Sequence, residues 1–218
     1  MRDSCRPLIL PLRTRLLLVR HGESIWNREE RIQGQADVPL SDLGRRQAEA
    51  TAAYLAGCGA AAVYASDLVR AVQTAEPIAA RLGVGIATDA GLREVHFGEW
   101  EGLTLAELRQ RDPDGLAAYD RDRVRNRPPG AERLEALEAR VGEAMARAIA
   151  RHAGETLVVV AHGGSLRALL LLLLDLPTTH HFRFITDNCG VSCVEASTLG
   201  NRLRYLNDTS HLRGLNGA

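Results

Sequence analysis

The sequence contains no lysine, so all 27 of its Lys+Arg residues are arginines. Without lysine, the chain can form neither a Schiff base nor a P-loop, whose lysine reaches the phosphates of a nucleotide. Basic and acidic side chains balance at 27 each. A chain without net charge lacks the positive field that is typical of proteins that bind nucleic acids or anionic membranes. We therefore expect neither of these partners.

Cysteine and long apolar runs are also scarce. The four cysteines form no CxxC pair and show no zinc-finger spacing, which predicts reduced thiols and a cytoplasmic protein. The longest apolar run, residues 168–174, is far shorter than the roughly 18 residues that span a bilayer, and we expect a buried helix there.

Residues 1–14 are interpreted as an N-terminal arm, because two prolines interrupt their apolar piece. Residues 15–218 are predicted to form a single domain.

Apolar patterns typical of strands and of helices alternate along the chain. Short apolar runs predict strands at residues 16–19, 61–65, 84–87, 157–161, 192–195 and 203–207. Helical spacing, with Ser41 and Ser66 as the N-caps of the first two helices, predicts helices at residues 41–56, 66–82 and 134–152. This order predicts an α/β sandwich with a largely parallel sheet, whose last two strands form an antiparallel edge. The charged residues 101–133 are interpreted as a cap over one end of the sheet.

Three of the predicted strands lead directly into unusual polar residues. The first strand is followed by Arg20 and His21, and the second by Ser66 and then Arg70, one turn into a helix. The fourth strand is followed by His162 at the start of another helix. Because ligands bind at the carboxyl ends of the strands in such folds, we expect these side chains to lie together. Free N–H groups at the helix start would complete an anion site.

This set of side chains fits a phosphomonoester. Such a group carries about −1.5 to −2 charges, which two guanidinium groups roughly match. A histidine in this position can attack phosphorus to give a phosphohistidine, while its cationic neighbours stabilise charge on the equatorial oxygens. The leaving oxygen also needs a proton donor, for which "LREVHFGEWEG" offers Glu94, Glu99 and Glu101. Glu94, at a predicted loop start, is our candidate, although spacing alone leaves the three open.

Five successive motifs resemble those of the histidine phosphatase superfamily, in its phosphoglycerate-mutase-like branch. They read "LVRHGES.WN", "PLSDLGRRQA", "YASDLVRAVQTA", "LREVHFGEWEG" and "VVVAHGGSLR", and they cover residues 16–176. The resemblance implies a three-layer α/β sandwich with a mixed, mostly parallel six-stranded sheet and helices on both faces. It also implies a reaction that needs no metal and no other cofactor.

The resemblance further implies roles for individual residues. His21 matches the phosphorylated nucleophile, and Glu94 matches the group that acts first as acid and then as base. His162 matches the second histidine of the site. The residues that are implied to bind the phosphoryl group are Arg20, Asn27, Arg70, His162 and Gly163. Those expected to line the substrate site are Gln33, Gly34, Glu94 and Gly164.

The motifs "FGEWEG" and "AHGG" are most similar to those of the small broad-specificity and alpha-ribazole phosphatases. We therefore predict a phosphomonoesterase that acts on a small phosphorylated metabolite through a phosphohistidine. A cofactor-dependent phosphoglycerate mutase is the main alternative, because the same core serves both reactions. A non-catalytic module that binds a phosphorylated ligand is the alternative from another functional class. The sequence leaves a homodimer open.

Two features depart from the phosphatase pattern. Arg133 stands in "PPGAER" where these phosphatases commonly have a serine, and residues 120–127 read "DRDRVRNR". Such a charged run is usually a solvated face. The alternative interpretation is a cap that binds a second anionic group of the substrate.

Overall fold

The chain forms a six-stranded sheet in a computed structural model that describes residues 13–215. The strands are β1 (Arg13–Arg20), β2 (Ala60–Ala65), β3 (Ile86–Thr88), β4 (Thr156–Ala161), β5 (Val191–Ser197) and β6 (Arg202–Asp208). Their spatial order is β3-β2-β4-β1-β5-β6. The first four strands pair in parallel, whereas β5 runs antiparallel to β1, and β6 antiparallel to β5. The predicted mixed sheet with an antiparallel edge is confirmed.

Helices cover both faces of this sheet. The α-helices among the described residues are α1 (Ile25–Arg28), α2 (Asp42–Tyr54), α3 (Val69–Leu82), α4 (Leu105–Arg111), α5 (Pro113–Arg121), α6 (Leu134–Arg151) and α7 (Gly163–Leu174). Side chains alternate along a strand, so Leu16 and Leu18 of β1 pack with α6 and α7, whereas Leu17 and Val19 pack with α2 and α3. The result is the predicted three-layer sandwich with two apolar cores.

The start of α3 differs from the sequence prediction. Its N-cap is Leu68, not Ser66, whose hydroxyl instead accepts a hydrogen bond from the backbone N–H of Leu68 at 3.3 Å. The first N–H of the helix, that of Val69, donates to Oδ1 of Asp37 at 2.7 Å. A carboxylate from a distant loop thus replaces the local cap, which a local sequence pattern does not reveal. Ser41, in contrast, caps α2 as predicted.

The N-terminal boundary of β1 also differs. β1 begins at Arg13, where it pairs with Ser197 of β5, so the last two residues of the predicted arm belong to the sheet. The rest of the predicted arm lies outside the described residues. β3, at Ile86–Thr88, is displaced by about two residues from the predicted strand.

The longest apolar run of the sequence lies in α7. Its first four residues, from Ala168 to Leu171, are buried as predicted, whereas Leu172 is 44% exposed. Among residues 13–215, no helix has the length and apolar character needed to cross a membrane.

Residues 101–133 contain two short helices, α4 and α5. The indole N–H of Trp100 donates to Asp112 between these helices at 3.0 Å, and the Trp100 ring contacts that of Tyr119 at 5.3 Å between centroids. Tyr119 in turn packs edge-on against Phe182. This aromatic row holds the segment against the loops at the carboxyl ends of the strands.

Two glycines allow the loop after β1 to pack tightly against the start of α2. A Cβ atom on Gly44 would overlap the backbone carbonyl of Glu23, and one on Gly22 would lie 2.6 Å from the carbonyl oxygen of Gly44. The atoms in both contacts belong to the backbone, which cannot move aside as the end of a flexible side chain can. The close contact that the two glycines allow therefore fixes the position of the residues at the end of β1.

We predict that Gly44→Ala lowers the free energy of unfolding by about 1–3 kcal/mol, as overpacking typically does. Gly142→Ala is the matched control, because its Cβ would meet only the methyl group of Leu172. Alanine is the better helix former, so this control should raise stability by about 0.5–1 kcal/mol. Urea unfolding of both variants measures the difference. Equal stabilities would contradict the close packing of Gly44.

Candidate active site

The carboxyl ends of β1 and β4 bring two histidines together. The strands are parallel neighbours in which Arg20 is paired with Ala161, so the residues that follow them, His21 and His162, lie side by side. Their ring centroids are 5.1 Å apart, and the two residues are 3% and 0% exposed. The convergence that the sequence predicts at this edge is present in the structure.

The surroundings of His21 determine which ring nitrogen is nucleophilic. Nδ1 lies 2.7 Å from the carbonyl oxygen of Gly22. A carbonyl can only accept, so Nδ1 carries the hydrogen and Nε2 keeps its lone pair. Burial, and then the positive charges of Arg70 and Arg20, hold the pKa of His21 well below the usual 6.5. The ring is therefore neutral at physiological pH, with Nε2 unprotonated.

His162 is held in the same neutral state. Burial and the charge of Arg70 are the largest causes that lower its pKa far below 6.5. Neither ring nitrogen has a hydrogen-bond partner among the described residues. A buried neutral imidazole without partners offers one N–H donor and one acceptor, and leaving both unused is costly. His162 is thus free to bind a ligand.

Arg70 is fully buried at the start of α3. Its Nη1 donates to the carbonyl of Ala36 at 2.7 Å and its Nη2 to that of Gly34 at 2.8 Å, while Nε has no partner within the described chain. Burial is the largest cause that lowers the pKa of Arg70 to about 10, so the guanidinium remains charged. Gly34, predicted to line the substrate site, therefore orients Arg70 through its carbonyl group.

Arg20 presents a second buried donor of the same kind. Its Nη1 donates to the carbonyl of Thr186 at 2.7 Å, and its Nε has no partner among residues 13–215. A Cβ atom on Gly163 would lie 3.8 Å from this Nε and 3.5 Å from Oγ1 of Thr186. Both polar atoms thus lie close to the backbone of Gly163, at the N-terminus of α7. Burial is the largest cause that lowers the pKa of Arg20 below its usual value.

Asn27 and Gln33 lie in the loop region that follows the nucleophile candidate. Oδ1 of Asn27 accepts from the backbone N–H of Ser24 at 3.1 Å and from the amide of Asn188 at 3.2 Å. This orientation leaves the amide nitrogen of Asn27 as a donor. Oε1 of Gln33 accepts from the hydroxyl of Ser24 at 2.8 Å. Contact of either residue with a ligand stays a prediction.

Glu94 occupies the N-terminus of α7. Its carboxylate accepts from the backbone N–H groups of Gly164 at 3.0 Å, Ser165 at 3.2 Å and Val95 at 2.8 Å. The prediction that the N–H groups of the helix start are free is therefore wrong for Gly164 and Ser165. A helix N-terminus attracts the nearest anion, which here is a side chain of the protein itself. A Cβ atom on Gly164 would overlap Oε1 of Glu94, so this contact requires glycine.

The two other candidate acids lie elsewhere. Glu101 is mostly buried, and its Oε1 accepts from the backbone N–H groups of Gln35 at 3.0 Å and Phe97 at 2.9 Å. It therefore stabilises the surrounding loops. Glu99 is exposed. Of the three glutamates, Glu94 is the one that lies beside Arg20 and Gly163.

Arg140 of α6 holds the loop that carries Glu94. Its guanidinium donates to the backbone carbonyls of Gly91 at 2.9 Å, Arg93 at 2.7 Å and Glu94 at 2.8 Å. It also binds both carboxylate oxygens of Glu132 at 2.7 and 2.8 Å. All of these bonds are charge-assisted, which makes them stronger than neutral hydrogen bonds. Arg140 therefore fixes the backbone position of Glu94.

Several polar residues of the site were not identified from the sequence. The carbonyl of Thr186 orients Arg20. The side-chain amide of Asn188 donates to the His21 carbonyl and to Asn27. The hydroxyl of Thr74 accepts from the N–H of Gly22 at 3.0 Å. Thr186 and Asn188 belong to the irregular segment before β5, which has no periodic pattern. For Asn188, the sequence does hold a signal, because "NCGVSCVE" at residues 188–195 resembles the tail of histidine phosphatases.

The arrangement as a whole suits an anion. Arg20, Arg70 and His162 have buried nitrogens without partners in the described chain, and both arginines lie close enough to His162 to lower its pKa. An anion among them would satisfy these nitrogens. In the described part of the chain, no group of three or more His, Cys, Asp or Glu side chains is arranged to hold a metal ion.

A cavity of about 140 Å³ adjoins this region. Its lining includes Arg20, Glu94, Gly163, Gly164 and His181. His181 is 1% exposed, and burial is the largest cause that lowers its pKa to about 3. The folded protein therefore keeps this ring neutral over the physiological range.

We predict that His181 makes stability depend on pH below about 6.5, the usual pKa of an unfolded histidine. As the pH falls below that value, the unfolded chain binds a proton that the folded chain does not bind until about pH 3. The free energy of unfolding should fall by about 1.4 kcal/mol per pH unit from this group alone. His181→Gln should reduce the measured slope by about one proton, and His180→Gln, at a partly exposed position, should not. Identical slopes in all three proteins would contradict the neutral buried ring.

A sequence profile of the histidine phosphatase superfamily (branch 1) matches residues 16–209. "Phosphoglycerate mutase-like protein 4" of Arabidopsis thaliana is 42% identical over 157 residues, which are 71% of this chain and 68% of that protein. A "Bifunctional protein" of Mycobacterium tuberculosis is 37% identical over 201 residues. These are 91% of this chain but 55% of that protein, so the chain spans about half of its length.

Solved structures show the same fold. The mycobacterial glucosyl-3-phosphoglycerate phosphatase superimposes with a TM-score of 0.83 at 33% identity, covering 89% of this chain and 99% of that one. The alpha-ribazole phosphatase of Shigella flexneri gives a TM-score of 0.81 at 29% identity, covering 89% and 96%. With the profile match, these relatives show that the chain is an enzyme of the histidine phosphatase superfamily, branch 1.

Proposed function

We propose that this chain is a phosphomonoesterase that transfers the phosphoryl group of a small metabolite to Nε2 of His21 and then to water, without a metal ion. The observation that carries the proposal is the state of His21, a buried neutral ring whose Nδ1–H is bound by the Gly22 carbonyl. That bond leaves Nε2 as the available nucleophile. Two guanidinium groups and a second neutral histidine surround it.

In the first step, Nε2 attacks phosphorus while the bond from phosphorus to the leaving oxygen breaks. The protonated carboxyl of Glu94 gives its proton to that oxygen, a contribution typically worth about 10²–10⁴-fold. Its position beside Arg20 and Gly163 is what supports Glu94 in this role. The lone pair of Nε2 becomes the new N–P bond, and the alcohol departs neutral.

Charge on the equatorial oxygens is stabilised by groups that are already in place. Nε of Arg20, Nε of Arg70 and the N–H of His162 are buried donors without other partners in the described chain. The amide nitrogen of Asn27 is proposed as a further donor. Such preorganised donors need no rearrangement during the reaction, and this electrostatic effect usually dominates phosphoryl transfer. The mycobacterial relative was solved in complex with VO3, an oxyanion related to phosphate, which supports an oxyanion site of this kind here.

In the second step, the ionised Glu94 takes a proton from water, which attacks the phosphohistidine and regenerates free His21. The mutase alternative differs only here, because a hydroxyl of a second molecule would replace water. The relative at 42% identity, which is named mutase-like, favours that alternative. The motifs around Trp100 and in "AHGG" favour hydrolysis.

We predict that Glu94→Gln separates the two steps. An alkyl alkoxide cannot leave without a proton, so the variant should lose about 10²–10⁴-fold in turnover of alkyl phosphates. p-Nitrophenolate leaves unaided, so the variant should release one equivalent of it in a burst and then stall as phosphoenzyme. Rapid-quench kinetics with both substrates measures this. His21→Ala, the control, should show neither burst nor turnover.

Gly164→Ala tests the position of Glu94 without changing its chemistry. The new methyl group would displace the carboxylate from the N-terminus of α7, since it overlaps the mobile end of that side chain. We expect the same selective loss on alkyl phosphates in a folded protein. Gly85→Ala, where a Cβ has nothing within 4 Å, is the matched control. Equal losses on both substrates, with no burst in Glu94→Gln, would assign the acid role to another group.

A further inference from the structure

Three polar groups converge on one point beside Gly163, at the N-terminus of α7. The point is the position that a Cβ atom of this glycine would take. Outside the backbone of α7 and the residues on either side of the glycine, the nearest atoms are Oγ1 of Thr186 at 3.5 Å, Oε2 of Glu94 at 3.7 Å and Nε of Arg20 at 3.8 Å. Because glycine has no side chain, a small ligand atom can approach all three groups.

Thr186 is the residue among these three that has no task in the reaction proposed above. It is 5% exposed, and its carbonyl accepts from Nη1 of Arg20 at 2.7 Å, which places it against the site. Its hydroxyl oxygen is buried and has no hydrogen-bond partner among residues 13–215. Buried hydroxyl groups are normally paired, because leaving one unpaired costs free energy. The hydroxyl of Thr186 is therefore available to a ligand at the point beside Gly163.

The two carboxylate oxygens of Glu94 are not equivalent. Oε1 accepts from two backbone N–H groups, those of Val95 at 2.8 Å and Ser165 at 3.2 Å. Oε2 accepts from one, that of Gly164 at 3.0 Å, and it is the oxygen that lies 3.7 Å from the point beside Gly163. Oε2 therefore keeps a lone pair with which to exchange a proton at this point.

Both steps of the proposed reaction place an oxygen atom beside Oε2 of Glu94. In the first step this atom is the leaving oxygen, and in the second step it is the oxygen of the attacking water. The attacking and leaving groups lie roughly in line with phosphorus. Since Nε2 of His21 occupies one side, water must enter on the side that the leaving group has vacated. The water therefore takes the place of the leaving oxygen, near Gly163 and Thr186.

These two oxygen atoms differ in the hydrogens that they carry. The leaving oxygen carries none and needs one proton. Water carries two hydrogens, and two acceptors that hold both O–H groups leave a lone pair aimed at phosphorus. Oε2 of Glu94 is one acceptor, whereas Nε of Arg20 can only donate. A threonine hydroxyl can accept and donate at once, so of the three atoms at this point Oγ1 of Thr186 is the one that can be the second acceptor.

We propose that the Thr186 hydroxyl is a catalytic group of the second step, where it holds and orients the water that hydrolyses the phosphohistidine. One O–H of this water points to Thr186 and the other to Oε2 of Glu94. As the water oxygen bonds to phosphorus, the proton passes to Oε2, the N–P bond breaks, and its electron pair returns to Nε2 of His21. Inorganic phosphate and a protonated Glu94 result, and Thr186 is unchanged. This role rests on the proposed function.

The same geometry distinguishes water from an alcohol. An alcohol has one O–H, which Glu94 accepts, and it has no second hydrogen for Thr186. Hydrolysis of the phosphoenzyme therefore depends on the Thr186 hydroxyl, whereas transfer of the phosphoryl group to an alcohol does not. Thr186 thus acts at the step where hydrolysis and mutase-type transfer diverge.

Thr186→Val removes the hydroxyl but keeps the shape of the side chain and the carbonyl that orients Arg20. In rapid-quench kinetics with p-nitrophenyl phosphate, we expect phosphoenzyme formation at a rate close to that of wild type. The loss of phosphoenzyme to water should slow by about 3- to 10-fold, the range of one neutral hydrogen bond. Thr186→Ser keeps the hydroxyl and should restore the rate. Thr14→Val, at a buried threonine at the other end of β1, is the control and should change neither step.

Competition between water and methanol gives a second readout. At a fixed concentration of methanol, ³¹P NMR at early times measures the ratio of inorganic phosphate to methyl phosphate. Thr186→Val should lower this ratio by the same factor, and Thr186→Ser should not. Because both products come from one phosphoenzyme, the ratio does not depend on how much of a variant is folded.

The outcomes separate this role from the proposed function. An unchanged product ratio in Thr186→Val, or an equal loss in Thr186→Ser, would overturn the role of Thr186, while a phosphoenzyme on His21 would preserve the proposed function. The absence of a phosphoenzyme in wild type would reject the proposed function itself and, with it, the role of Thr186.

Discussion

Two guanidinium groups that form no salt bridge with a carboxylate of residues 13–215 are the constraint on which the site depends. Arg20 and Arg70 share one region, and each lowers the pKa of the histidines between them. Their remaining bonds go to backbone carbonyls, which orient the charges but do not neutralise them. Burying such charges is costly unless an anion joins them. The fold therefore holds two positive charges beside a pair of neutral histidines, an arrangement that suits an anion.

The same electrostatic reasoning explains why a carboxylate lies next to these cations. The N-terminus of α7 binds the Glu94 carboxylate through two backbone N–H groups, and Arg140 fixes the backbone of the same residue. Arg140 also binds Glu132, close to the point where residues 101–133 return to α6. That segment is thus mechanically linked to the proposed proton donor.

Local pattern and strand order were enough to predict the sheet, its antiparallel edge and the meeting of His21, Arg70 and His162 at one edge. Those predictions depend on periodicity along β1, β2 and β4, which the sequence displays directly. Apart from the shifted bounds of β1 and β3, the errors concern hydrogen bonds between distant residues. Asp37 binds the first N–H of α3 from 32 residues away, and Glu94 binds the start of α7 from 70 residues away. No local pattern reports which distant carboxylate reaches a helix terminus.

The central claim is that the Gly22 carbonyl makes Nε2 of His21 the nitrogen that receives phosphorus. The direct test is to trap the phosphoenzyme of Glu94→Gln with p-nitrophenyl phosphate, quench it at alkaline pH and locate the phosphate by tandem mass spectrometry and ³¹P NMR. The account predicts one phosphate per chain, on Nε2 of His21. Phosphate on Nδ1, on His162 or on any other residue would contradict it.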